Sequence, residues 1–179
     1  CAYYKVKNSG TYNIKITAET DNGEWVINDH FEVRDQLAFE IERIGPTRIY
    51  PVADYEMTFL VKANIDFKGD LIEYIPNNFR ITEQKQDGAL LEQSPELRAA
   101  TEKQAGDNEQ ALLWSVDLKA GQEYVYSYTF DAPDISPEFF LLGPARLSGS
   151  VKYELGRKES WEEYNFSEIR QCQIASDAI

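Results

Sequence analysis

Apolar and polar side chains alternate along most of this chain, and that pattern alone excludes most of the folds open to 179 residues. A period of two puts every second side chain on one face of an extended strand, whereas a helix needs a period near 3.6. Tyr12, Ile14, Ile16 and Ala18 share one such face, and Trp25, Ile27, Phe31 and Val33 mark the returning strand. Between them, Asp21-Asn22-Gly23 supplies residues that tolerate the backbone of a tight reversal. A change of phase between Ile27 and Phe31 is read as a bulge near Asn28-Asp29.

The alternation continues beyond this first hairpin. Leu37 to Ile44 and Tyr55 to Ala63 read as strands, separated by Gly45-Pro46 and an edge segment Ile49-Tyr50-Pro51. Leu71 to Ile75 and Phe79 to Ile81 flank the turn Pro76-Asn77-Asn78. Further strands are expected over Ala111–Leu118, Glu123–Phe130, Ala145–Leu155 and Tyr164–Ile174. A hairpin turn at Ala120-Gly121 joins the first two of these, and a polar loop from Gly156 to Glu163 joins the last two. The proline-bearing stretch Asp131 to Glu138 reads as a connector between sheets. Residues 82–110 lose the alternation, and we expect a mobile excursion there. It carries one helix from Pro95 to Gln104, with Ser94 as its cap.

About ten or eleven short strands make this an all-β chain, an antiparallel β-sandwich. A break at Asp35-Gln36 divides it into an incomplete unit, 1–35, and a sandwich, 36–179. Three strands cannot close a sandwich alone, so the first unit needs a covering layer from the second unit or from another chain.

Composition narrows the function. A hydrophobic content of 42% supports a real core. Eighteen Lys and Arg against thirty-one Asp and Glu give a net charge of −13, which disfavours nucleic acid and anionic membrane surfaces. The apolar run Phe139–Leu142 stops at Gly143-Pro144, so no membrane insertion is expected. The chain starts at Cys1 without a signal peptide and reads as a processed or excised piece.

One histidine, His30, removes most Ser-His and Cys-His chemistry, and no Gly-x-Ser-x-Gly elbow is present. Glu40/Glu42, Glu162/Glu163 and Asp131/Asp134 are the available carboxylate pairs, but thirty-one acidic residues make such neighbours unremarkable. No cofactor is expected. Asp131, Asp134 and Glu138 are the candidate oxygen ligands for Ca²⁺, though they lack an Asp-x-Asp-x-Asp-Gly frame. Asn165, in Asn165-Phe166-Ser167, is a candidate glycosylation acceptor. Eleven Tyr, nine Phe and three Trp suit either a core or an aromatic platform for a glycan. Cys1 and Cys172 bracket the chain, and in an oxidising compartment they pair, within one chain or between chains.

Two stretches carry a resemblance. Asp70-Leu71-Ile72-Glu73-Tyr74-Ile75-Pro76-Asn77-Asn78-Phe79 and the segment Leu113 to Phe130, with its Trp114, Ala120-Gly121 and aromatic return, are similar to the conserved repeat domain of bacterial surface proteins. Phe31 to Asp35, Glu42 to Pro51, Phe130 to Phe139 and Gln173 to Asp177 resemble signature segments of very large secreted proteins from uncultured small-genome bacteria. Ser9-Gly10-Thr11-Tyr12 resembles the penultimate strand of a second Ig-like unit. Cys172 departs from the pattern, standing where an aromatic residue is expected.

The resemblance implies an immunoglobulin-like sandwich in an extracellular, cell-surface protein, without enzymatic activity. The expected role is a structural module of a stalk, array or filament that associates with itself or with neighbouring Ig-like domains. A carbohydrate-binding or adhesive module is the alternative.

Overall fold

The computed structural model describes residues 5–50, 53–91, 108–155, 158–168 and 171–177, and every regular element in them is a strand. The fold is all-β with several antiparallel sheets. It divides into two compact units, Cys1–Leu37 and Ala38–Ile179.

The first unit is one hairpin. Strand β1 (Gly10–Thr20) pairs with β2 (Gly23–Val33) in an unbroken antiparallel register from Gly10↔Val33 to Thr20↔Gly23. The bulge expected at Asn28-Asp29 is absent. Trp25, Ile27, Asp29, Phe31 and Val33 all have the same parity, so the face never changes, and Asp29 simply interrupts an apolar stripe. Asp21-Asn22 makes the turn, and Gly23 takes the positive φ of 126° that follows it.

The second unit opens with β3 (Phe39–Ile44), β4 (Arg48–Ile49), β5 (Asp54–Ala63), β6 (Phe67–Pro76), β7 (Arg80–Gln86) and β8 (Ala89–Leu90). It continues with β9 (Glu109–Leu118), β10 (Glu123–Asp131), β11 (Glu138–Leu142), β12 (Arg146–Leu155), β13 (Lys158–Ser167) and β14 (Cys172–Ser176). A five-stranded sheet has the order β3-β5-β10-β7-β8, and a four-stranded sheet the order β13-β12-β6-β9. A third sheet, β11-β14-β4, holds the one parallel pairing among the described residues, β14 with β4.

Alternation decides what lies inside. Met57, Phe59 and Val61 of β5 and Tyr126, Tyr128 and Phe130 of β10 point inward from the five-stranded sheet, all buried. Leu71 and Ile75 of β6 and Leu112, Trp114, Val116 and Leu118 of β9 meet them from the four-stranded sheet. The Trp114 ring makes edge contacts with Phe59 and Tyr126 at centroid distances of 6.0 and 6.1 Å, and its indole N–H donates to the Lys85 carbonyl at 3.0 Å. Gly69 and Gly149 face each other on β6 and β12 beneath the Phe67 ring. A Cβ at Gly69 would lie 2.6 Å from the Gly149 Cα and 2.9 Å from the Phe67 ring, so both positions need glycine.

Three further expectations are corrected. Residues 82–91 and 108–110 are not an excursion. β7 pairs with β10 through Gln86, turns at Asp87-Gly88 with φ of 47° and 80°, and returns as β8. Positive φ at both central residues defines the tight hairpin turn that Asp-Gly favours. The expected helix from Pro95 to Gln104 lies outside the described residues. Second, β9 and β10 are not a hairpin: β9 pairs with β6 and β10 with β5 and β7, so the Ala120-Gly121 turn crosses between the two sheets. Third, the polar residues after Gly156 are largely strand: β13 begins at Lys158. The chain then breaks after Ser167, and β14 joins a different sheet. The connector Asp131–Glu138 does join two sheets, running from β10 to β11.

Candidate functional site

The residues singled out by sequence do not converge. Asp131 accepts hydrogen bonds from Arg80 at 2.7 and 3.2 Å, Glu138 caps the Phe139 amide at 3.1 Å, and Asp134 is exposed in the connector. The three Ca²⁺ candidates thus have separate surroundings, and among the described residues no three His, Cys, Asp or Glu side chains are grouped to hold a metal ion. His30 is exposed and pairs with Asn13 on the polar face of the hairpin. Hydrogen bonds from Asn64 and Lys62 hold the Glu40 carboxyl below its ordinary value of 4.5. Glu162 and Glu163, adjacent on β13, point to opposite faces. Asn165 is exposed on β13, its Oδ1 accepting from the Ser148 hydroxyl at 2.8 Å. Cys172 carries a half-buried thiol with no disulfide partner among the described residues. Cys1 itself lies outside the described residues.

What the fold does bring together is a charge cluster in the core that no motif announced. Arg43 of β3 donates to both Glu73 oxygens at 2.6 and 3.1 Å, and to Glu168 at 2.7 Å. Tyr128 reaches Glu73 at 3.5 Å, and the guanidinium lies 4.9 Å from the Phe59 ring centroid. Glu73 is fully buried. Burial pushes its carboxyl up to about 7, against the pull of Arg43. One guanidinium serves two carboxylates, so the deeper one stays under-compensated. Burial also raises the Cys172 thiol, which Arg43 opposes and the carboxylates reinforce.

The cluster ties β3 of one sheet to β6 of the other, and through Glu168 to the connection between β13 and β14. Gly143 lines it. A Cβ there would sit 2.7 Å from an Arg43 nitrogen, and φ is +86°. Glu73 is closed to solvent, so this is an internal tie rather than an acid-base pair for an external substrate. The signal was present in phase: Arg43 shares its face with Phe39 and Ile41, and Glu73 with Leu71 and Ile75. Opposite charges at inward positions of separate strands were bound to meet.

The hairpin presents the reverse case, an apolar face left open. Tyr12, Ile14, Ile16 and Ala18 lie across from Phe31, Asp29, Ile27 and Trp25. Tyr12 and Phe31 stack at 5.3 Å, yet Ile16, Trp25 and Ile27 are 55%, 63% and 62% exposed. The opposite face carries Thr11, Asn13, Lys15, Glu24, Asn28, His30 and Glu32, with Val26 its one large apolar member. Neither strand has a second ladder partner among the described residues. A two-stranded ribbon with an apolar face broken only at Asp29 is marginal in water and calls for a covering layer.

No protein-family model matches this chain, and no curated protein does. Among solved structures it is similar to BslA, a bacterial hydrophobin, at 10% identity and a TM-score of 0.40, covering 79% of this chain and 97% of that one. It is also similar to a protein from Corynebacterium diphtheriae described as membrane-anchored, at 7% identity and a TM-score of 0.46. That match covers 97% of this chain and 46% of the other, so this chain spans under half of that protein. Likeness at this level assigns no function. Among the described residues no helix is long and apolar enough to cross a membrane.

Proposed function

We propose that this chain is a non-enzymatic structural module of an extracellular bacterial surface protein, of the immunoglobulin-like kind, that builds a stalk, array or filament. Its sandwich is the rigid body, and the hairpin is the joint. A neighbouring module, from a second copy or from the same polypeptide, lays strands against the apolar face and along the open edges of β1 and β2.

The observation that carries this reading is the exposure of Ile16, Trp25 and Ile27 on one continuous face of an otherwise well-formed hairpin. Strand addition would satisfy the free backbone groups, and a facing layer would remove apolar surface from water at about 25 cal/mol per Å². The buried, closed character of Glu73 and the scatter of the other acidic pairs support a role without catalysis.

Association of the purified chain tests the reading. Light scattering and electron microscopy should detect concentration-dependent assembly, with the Trp25 emission moving to the blue, and an Ile16→Lys/Ile27→Lys variant should abolish both. A chain that remains monomeric at all concentrations, with unprotected hairpin amides, would count against self-association.

A further inference from the structure

The outer face of the four-stranded sheet carries a feature that the structural role does not use. The registers set Arg146 of β12 across from Ile72 on one side and Ser167 on the other, and Ser148 across from Asn165. With Tyr74, these side chains line an open groove of about 390 Å³. The Arg146 guanidinium carbon lies 5.1 Å from the Tyr74 ring centroid.

Arg146 is distinctive for what it lacks. In a chain with thirty-one acidic residues, Arg34, Arg43, Arg48 and Arg80 each sit on a carboxylate. Arg146 is the one arginine among the described residues without such a partner; it rests on an aromatic face in a groove instead. A guanidinium placed over a ring, with no carboxylate on it, keeps its fork of N–H donors available for a planar anion. Around it, the Ser148 hydroxyl and the Asn165 and Ser167 side chains, which now bond to Asn165, Glu163 and the Glu168 carbonyl, can exchange those hydrogen bonds for a polyol's, and the half-buried Tyr74 ring offers apolar surface to the C–H face of a sugar.

We propose that this groove binds a carboxylated sugar, a uronic acid residue of a polysaccharide. Arg146 takes the carboxylate, and the Ser148, Asn165 and Ser167 groups take the hydroxyls. The groove belongs wholly to the sandwich unit, so the site does not depend on whether the hairpin joins modules. It also sets Asn165 as a ligand contact, which a glycan attached to that residue would obstruct.

The test is an amide-shift titration of the whole chain with trigalacturonate, with its methyl ester as the neutral comparison. Saturable shifts confined to the strands around Ile72–Tyr74, Arg146–Ser148 and Asn165–Ser167 are expected. Arg146→Gln, a change at an exposed side chain, should weaken binding about tenfold, and methyl esterification should do the same. Ser148→Ala should weaken it by a smaller factor. Absence of saturable shifts overturns the proposal. So does equal binding by the Arg146→Gln variant or by the ester, and so does free acetate competing as well as the sugar acid, which would leave a carboxylate site without a sugar.

Discussion

The hairpin and the sandwich share one sequence pattern and reach opposite states. In β5 and β9, alternate side chains such as Phe59 and Trp114 are fully buried; in β1 and β2, the equivalents Ile16 and Trp25 stand 55% and 63% exposed. Strand length and ladder regularity do not separate them, since the hairpin has the longest uninterrupted register among the described residues, eleven pairs. The difference is the second layer. Alternation sorts side chains onto a face, and only a facing sheet turns that face into a core. A chain can therefore encode a face completely and leave its cover to something else.

That comparison can be broken most directly at the two tryptophans. Trp114→Ala removes a ring packed against Phe59, Tyr126 and Tyr128 and should cost about 3–5 kcal/mol, read as a lower midpoint in denaturant titration. Trp25→Ala should shift the midpoint by no more than about 0.5 kcal/mol in the monomer. Equal effects would mean that the hairpin face is covered after all.

The charge tie sharpens the contrast from inside. Arg43→Met leaves Glu73 buried without its partner and should cost about 3 kcal/mol above neutral pH, whereas Arg43→Met with Glu73→Leu should recover much of that loss. The hairpin ion pair Arg34–Glu32 is half-exposed, and its removal should be close to silent.

A pH series follows from the same site. The Glu73 carboxyl is raised from 4.5 to about 7 on folding, so the native state binds its proton more tightly than the unfolded chain does. Its contribution to stability is fully present below pH 4.5 and is lost as pH rises through about 7. Melting temperature should fall across that window in the native sequence and flatten in Glu73→Gln.

Gly88→Ala is the smallest expected effect in the sandwich. With φ of 80° and open space at the Cβ position, it should cost about 1 kcal/mol through backbone conformation alone.

Much of this was readable from residues alone, and the failures have physical causes. Strand positions and the inward set Met57, Phe59, Val61, Trp114 and Tyr128 follow from parity, which is a local property. Sheet membership is not local. Leu113 to Phe130 looks like a hairpin because a short turn joins two strands, but a short turn can equally step across a sandwich, and β9 and β10 do so. The Asp87-Gly88 turn is legible in the sequence, but the polar residues Thr82 to Gln86 mask a strand whose inward member, Gln84, is a buried amide donating to the Leu113 carbonyl at 2.7 Å. The Arg43–Glu73 tie was hidden for a similar reason. Charged residues are read as outward by default, and only their parity says otherwise.

The parallel pairing of β4 with β14 has a mechanical consequence. β4 stands near the start of the sandwich unit and β14 near its end, and they are joined by the Ala175 amide to the Thr47 carbonyl at 3.0 Å, by the Asp177 amide to the Ile49 carbonyl at 3.2 Å, and by the Arg48–Asp177 ion pair. Once β3 has been drawn off β5, a pull applied at both ends of the unit drags these two strands in opposite directions along their common axis. The bonds between them are then loaded together, in shear, instead of parting one at a time as in a hairpin pulled open from its ends. Beyond that first step, tension would pass through this smallest sheet, and resistance would be set by a few bonds breaking at once.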